Sequence, residues 1–178
     1  MEKVRLVPFL DCALGQAIEL QVFVDRNRDR DLVLQFGMTG AIDRLELAPI
    51  SDSPTRLDRL WETTCFEFFF GVPGQKTYWE VNLSPSGHWN VFRLDGYRGN
   101  LREEPAIAAL PFCVQRESDR LTLDLTFDLQ ALALSQAAIE LSVTSVMQEK
   151  TGEISYWALT HSGDEADFHR RDSFILSL

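Results

Sequence analysis

Apolar and polar residues alternate with a period of two through most of this chain. Ile18, Leu20, Val22 and Val24 alternate with Glu19, Gln21 and Asp25, and Leu32, Leu34, Phe36 and Met38 with Val33, Gln35 and Gly37. Leu121, Leu123, Leu125 and Phe127 alternate with Thr122, Asp124 and Thr126, and Ile139, Leu141 and Val143 with Glu140, Ser142 and Thr144. Successive strand side chains point to opposite faces, so each run predicts a half-buried strand. Further strands are predicted near 3–9, 41–47, 64–71, 76–83, 88–94, 112–117, 154–160 and 172–177. Turn-forming groups divide them: Gly71-Val72-Pro73-Gly74, Pro85-Ser86-Gly87, Glu117-Ser118-Asp119-Arg120 and Thr151-Gly152. Many short strands separated by turns predict an all-β antiparallel sandwich or barrel.

Two segments carry helix signals. Ser53-Pro54 offers a cap and a first-turn proline ahead of Leu57 and Leu60, and Asp128 is placed to cap Leu129–Leu134. One or two short helices are therefore expected beside the strands. Neither a repeat nor a linker interrupts the pattern. The 178 residues suit one domain, 1–178, with a core of its own.

Charge narrows the partners. With 17 Lys and Arg against 27 Asp and Glu, the net charge of −10 disfavours nucleic acid and anionic membrane. Both need clustered cations. The start of the chain lacks the apolar stretch of a signal peptide, and no apolar run reaches the ~18 residues of a membrane span. A cytoplasmic protein is expected. Cys12, Cys65 and Cys113 are far apart with no Cys-x-x-Cys, so free thiols are expected rather than a zinc site or a disulfide.

The stretch from Trp61 to Arg98 is the most informative. One strand reads Cys65-Phe66-Glu67-Phe68-Phe69-Phe70 and the next Tyr78-Trp79-Glu80-Val81-Asn82-Leu83. A hairpin around 71–77 would bring the row Phe66, Phe68, Phe70 over the core with the row Trp79, Val81, Leu83. The other face would then carry Cys65, Glu67 and Phe69 beside Tyr78, Glu80 and Asn82. In that register Glu67 lies opposite Glu80 or one diagonal step away, and like charges there are destabilising. Something must compensate: an arginine (Arg93 or Arg98), a metal ion, a shared proton, or solvent. An ordinary wet face would satisfy the pattern. So would a shallow polar and aromatic surface for sugars or other small polar ligands.

These residues also carry a resemblance. Leu60-Trp61-Glu62-x-x-Cys65-x-Glu67, then Tyr78-Trp79-Glu80-Val81-Asn82-Leu83-Ser84-Pro85-Ser86-Gly87-x-Trp89, then Gly96-Tyr97-Arg98, resemble the DOMON-like superfamily. That superfamily also contains the family 9 carbohydrate-binding modules. Asp167-Phe168-His169-x-x-Asp172-Ser173-Phe174 resembles the closing motif of its bacterial single-domain branch. The resemblance implies an antiparallel β-sandwich of jelly-roll type that binds sugars or haem and is not catalytic. Haem-binding members use Met and His as axial ligands. Met147 with His161 or His169 would have to serve here, and nothing in the sequence brings them together, so sugar is favoured over haem. By resemblance to the sugar-binding modules, calcium is a possible ligand of the run His161-Ser162-Gly163-Asp164-Glu165-Ala166-Asp167-Phe168-His169; a solvated acidic loop is the plainer reading.

The leading expectation is a non-catalytic module that holds a carbohydrate or other small polar ligand on one sheet face. Trp61, Glu67, Tyr78, Glu80, Asn82, Trp89, Arg98 and His169 are its candidate binding residues. Aromatic faces would stack on the sugar while carboxylates and the amide hydrogen-bond its hydroxyls. Two alternatives come from other classes. Glu67 and Glu80, on adjacent strands, could lie ~5 Å apart, the spacing of a retaining glycosidase. An exposed sheet edge could instead serve a protein-interaction module.

Overall fold

The structure, a computed structural model, describes residues 2–178. Its strands are β1 (Glu2–Pro8), β2 (Ile18–Arg26), β3 (Leu32–Gly40), β4 (Cys65–Gly71), β5 (Tyr78–Leu83) and β6 (Trp89–Leu94), followed by β7 (Arg102–Glu103), β8 (Phe112–Arg116), β9 (Arg120–Phe127), β10 (Glu140–Gln148), β11 (Ile154–Ala158) and β12 (Leu176–Ser177). They form one curled antiparallel sheet in the order β7-β6-β5-β4-β10-β11-β1-β2-β3-β9-β8, with β12 also on β10. The curl closes through β1. Glu2 to Leu6 pair with β2, whereas Val7 and Pro8 pair with β11. The two halves thereby pack face to face as a β-sandwich.

The apolar rows meet between them. Phe36 of β3 packs on Phe66 of β4 with ring centroids 5.3 Å apart, and Phe127 of β9 packs edge-on against Phe68 and Phe70 at 5.7 and 5.2 Å. The β4–β5 hairpin has the expected register, Phe66 opposite Leu83, Phe68 opposite Val81 and Phe70 opposite Trp79. All six are buried in the core. Burying each such side chain is worth about 1.5–3 kcal/mol.

Several expected elements differ. In place of a strand over 41–47 the chain forms a 3-10 turn, Ile42–Arg44. Gly40 turns the backbone at φ 113°, hard against the Ala17 carbonyl, where a side chain would clash. Ile42 and Leu45, three apart, are then both buried. The helix signal at Ser53-Pro54 goes unused, since Arg56 instead bridges to Trp89, and only the 3-10 turn Leu60–Glu62 follows. Asp128 does cap a turn, Gln130–Leu132, by accepting the N–H groups of Gln130 and Ala131. The strand expected over 172–177 shortens to β12, because Arg171–Ser173 is a 3-10 turn. A five-residue helix, α1 (Ala13–Ala17), escaped the sequence reading; Cys12 caps it, its sulfur accepting from the Gly15 N–H. Among the described residues no helix is long and apolar enough to cross a membrane.

The two halves differ in what covers their outer faces. In β2 and β3 the outward residues are half-buried or exposed. Every residue of β4 and β5 is buried, on both faces. A second apolar cluster explains this: Phe69, Tyr78, Phe92, Leu94 and Phe174, with Trp61 and Phe168 packed on it, covers the outside of that half.

Candidate functional site

A cavity of about 330 Å³ opens in this outer cluster. Alternation along the strands builds its floor: Glu67 and Phe69 from β4, Glu80 from β5, Leu94 from β6, Val146 from β10 and Tyr156 from β11. Register confirms that these share one face, with Phe69 opposite Glu80, and Val146 opposite Tyr156 and Cys65. Loops make the walls. Trp61 comes from the turn Leu60–Glu62, Arg98 and Leu101 from the loop after β6, and Ala166, Phe168 and His169 from the segment before Arg171–Ser173.

The polar groups form two linked sets. On the floor, Asn82 donates to Oε1 of Glu80 at 2.9 Å, and Thr144 of β10 donates to Oε2 of Glu67 at 3.2 Å. Oε1 of Glu67 is buried without a hydrogen-bond partner in the protein. On the wall, the Tyr78 hydroxyl lies 2.9 Å from Nδ1 of His169 and accepts from the Arg98 N–H at 3.2 Å. Asp167 gathers the rest, accepting from the Tyr97 hydroxyl (2.6 Å), the Arg98 guanidinium (2.9 Å) and the His169 N–H (3.1 Å). Arg98 adopts a left-handed backbone at φ 50°, sparsely populated for a non-glycine residue and held here by these bonds.

Burial sets the titration of the site. Glu67 and Glu80 are 1% and 5% exposed. Desolvation pushes the Glu80 carboxyl up to about 7, against the opposing pull of Asn82 and Arg98. Glu67 is driven well above the carboxylate range by burial and then by the charge of Glu80. Burial lowers His169 to about 4, with Arg98 adding to the effect, and raises Tyr78 to about 12. Cys65, beneath Glu67, is likewise pushed up by burial and by that neighbouring carboxylate. Burial raises the Asp167 carboxyl, but its bonds to Tyr97, His169 and Arg98 outweigh this and hold it low. The resting pocket therefore has a neutral imidazole and carboxyls inclined to keep their protons.

Of the residues expected at a binding face, Trp61, Glu67, Glu80, Arg98 and His169 line the cavity. Tyr78 and Asn82 lie behind that lining, where they hold His169 and Glu80. Trp89 is elsewhere. Its strand position opposite Leu83 turns it into the core, and the Arg56 guanidinium sits 4.5 Å above its ring. Arg93, a suggested partner of the glutamates, faces away with Trp79, 5.8 Å over that ring. Of the two faces the pattern allowed, an ordinary wet one and a shallow polar and aromatic one, the polar and aromatic character is present, but in a recessed cavity covered by the segment from Ala166 to Phe174 and the loop after β6. Phe69, Tyr156 and Phe168 were not singled out as lining residues. Phe69 was on the right face, and Phe168 sat inside the closing motif.

The haem and calcium expectations meet this geometry directly. Met147 lies in the core between the halves while His169 lines the outer pocket, and His161 bonds the Val7 carbonyl at 3.0 Å. These residues form no axial pair. Among the described residues no three His, Cys, Asp or Glu side chains are grouped to hold a metal ion.

Neither the known protein families nor the curated proteins match this chain in sequence. Solved structures do match it in shape. A candidate carbohydrate-binding protein from Bacteroides uniformis superposes with a TM-score of 0.62 at 11% identity, over 96% of this chain and 84% of its own. A family 9 carbohydrate-binding module from Caldicellulosiruptor kristjanssonii, solved with glucose, gives 0.52 at 9% identity, over 96% and 78%. The chain shares the β-sandwich fold of these proteins.

Proposed function

We propose that this chain is a non-catalytic binding module whose ligand is a saccharide or a similarly polar small molecule, held in the outer pocket of the β4–β5 half. The unpartnered, buried Oε1 of Glu67 within an aromatic-walled cavity carries the reading. A native fold leaves few such groups without a partner. Trp61, Tyr156 and Phe168 offer aromatic surface for the apolar side of a sugar, and the carboxyls, His169 and Arg98 offer hydrogen bonds. About 330 Å³ lies at the small end of ligand pockets, which suits one or two sugar rings. The glucose complex of a module with this fold supports the same ligand class.

Binding fits the carboxyls better than hydrolysis does. Glycosidase carboxyls stand on either side of the bond they cleave. Glu67, opposite Asn82, and Glu80, opposite Phe69, stand one diagonal step apart on adjacent strands, both on one floor. A panel of mono- and disaccharides followed by thermal shift and calorimetry tests the proposal. A binding sugar should raise the melting temperature, return chemically unchanged, and bind more weakly to Trp61→Ala and Phe168→Ala. Released product, or binding indifferent to both variants, would overturn it.

A further inference from the structure

We propose, resting on that binding reading, that the saccharide selected by this pocket carries a protonated amine, an amino sugar whose ammonium group sits between Glu67 and Glu80.

Unmet hydrogen-bond capacity comes first. Each floor carboxyl uses one oxygen within the protein, Glu67 toward Thr144 and Glu80 toward Asn82. The second oxygen of Glu67 has no partner, and that of Glu80 has His169 Nε2 at 3.9 Å, beyond hydrogen-bond reach. Two acceptors on one cavity floor, a diagonal step apart, call for a group with several donors. An ammonium group has three N–H donors and no acceptor.

Charge points the same way. The cation lining the pocket, Arg98, is committed to Asp167 in an ion pair at 2.9 Å. His169 is kept neutral by burial, and Arg93 lies on the other face of the sheet. Ionised carboxylates here would thus meet no free positive charge in the protein, and a ligand cation would supply it. The aromatic walls agree, since ring faces attract cations as well as sugar C–H groups. A neutral sugar could accept from a protonated carboxyl, but it would leave the desolvated charge uncompensated whenever that carboxyl ionised.

The two cases have opposite pH dependence. The titratable and polar groups facing the carboxyls are Cys65 and Tyr78 from β4 and β5, Thr144 and Tyr156 from β10 and β11, Arg98 from the loop, and Asp167 and His169 from the C-terminal segment. An ammonium ligand favours the ionised carboxyls, so its binding releases protons and tightens as pH rises toward 7, where Glu80 titrates. A neutral sugar that relies on a carboxyl O–H would bind more weakly over the same range.

Calorimetry with D-glucosamine, D-glucose and N-acetyl-D-glucosamine, from about pH 5 to about pH 7, separates them. Glucosamine should bind about tenfold tighter than either neutral sugar at the upper end, the range expected for hydrogen bonds to charged groups. Its preference should shrink toward the lower end, and titrations in two buffers of different ionisation enthalpy should register proton release. Glu67→Gln and Glu80→Gln should level the three affinities, while Trp61→Ala weakens all three alike. Neutral sugars binding as tightly as glucosamine, with Trp61→Ala weakening them, would overturn the amine assignment and leave the binding module standing. Silence toward all three sugars overturns the amine assignment, and silence across a wider saccharide panel overturns the module as well. Proton release is read on the unaltered protein, so the inference stays testable if a glutamine variant fails to fold.

Discussion

The Tyr78 hydroxyl is the hinge pin of the pocket wall, 2.9 Å from Nδ1 of His169. Its oxygen also accepts from the Arg98 N–H, and the tautomer of His169 sets which partner donates in the bond to Nδ1. The other ring nitrogen, Nε2, is turned toward Glu80 3.9 Å away. Tyr78→Phe deletes that oxygen and strands two polar groups. It should cost about 1–3 kcal/mol by denaturant titration. A loss under about 0.3 kcal/mol would show that water or another side chain takes over both bonds.

Stability should depend on pH through the buried carboxyl of Glu80. Its folded-state value of about 7 exceeds the ordinary 4.5, so between these values the native state binds more protons than the unfolded chain. That contribution falls as pH rises, by roughly 3 kcal/mol over the window. His169 works against it. Lowered from 6.5 to about 4, it contributes stability that is lost as pH falls through that range. The wild type therefore blends opposing slopes. Glu80→Gln removes one of them, and its stability relative to wild type should climb from about pH 4.5 to 7. A flat difference across that range would mean that Glu80 titrates like a solvated carboxyl.

Trp61 and Trp89 should separate binding from folding. Trp89 is buried in the core beneath Arg56, and Trp89→Ala should cost about 3–5 kcal/mol. Trp61 lines the cavity and meets Phe92 edge-on at 5.7 Å. Trp61→Ala should weaken saccharide binding while leaving the sandwich folded, as read by calorimetry beside a melting curve. The reverse pattern would place the ligand elsewhere.

Phe68→Ala tests the inner side of the same sheet. Phe68 is fully buried, stacked near Phe70 and edge-on to Phe127. Its loss should cost about 3–5 kcal/mol. A loss below about 1 kcal/mol would contradict the packing of the two halves.

The three thiols should react in order of access. Cys113 is exposed, Cys12 half-buried and Cys65 buried, with its thiolate further disfavoured by the nearby glutamates. A thiol reagent should label Cys113 at once, Cys12 more slowly, and Cys65 only on unfolding. Prompt labelling of all three in native buffer would mean that the pocket floor opens.

The hairpin was readable from sequence because two apolar rows of period two admit one facing: a slip of one residue would carry Phe66, Phe68 and Phe70 together away from the core. What lies above the other face was not readable from strand periodicity, and His169 was reached only through the resemblance of the closing motif. Phe168 and His169 reach it from about ninety positions downstream, a closure that no local pattern encodes. Trp89 was misplaced for a local reason. The Ser84-to-Gly87 turn, with Gly87 at φ 98° and its N–H on the Ser84 carbonyl, sets Trp89 opposite Leu83 and so turns it inward. The short alternation at 41–47 misled because Ile42 and Leu45 also satisfy a spacing of three, which the bend after Gly40 selects.

The pairing of β4 with β10 constrains how the chain can acquire its shape. Thr144 meets Glu67 across 77 positions, and the floor of the pocket does not exist until that junction forms. During synthesis the Phe66, Phe68 and Phe70 row emerges long before its partner strand, as bare aromatic strand beside the incomplete β5 and β6 meander. Closing so long a loop is slow, and nascent sheet edges of this kind invite association with other chains. Refolding from denaturant should accordingly be sluggish and concentration-sensitive, with the β4–β10 seam among the last to close.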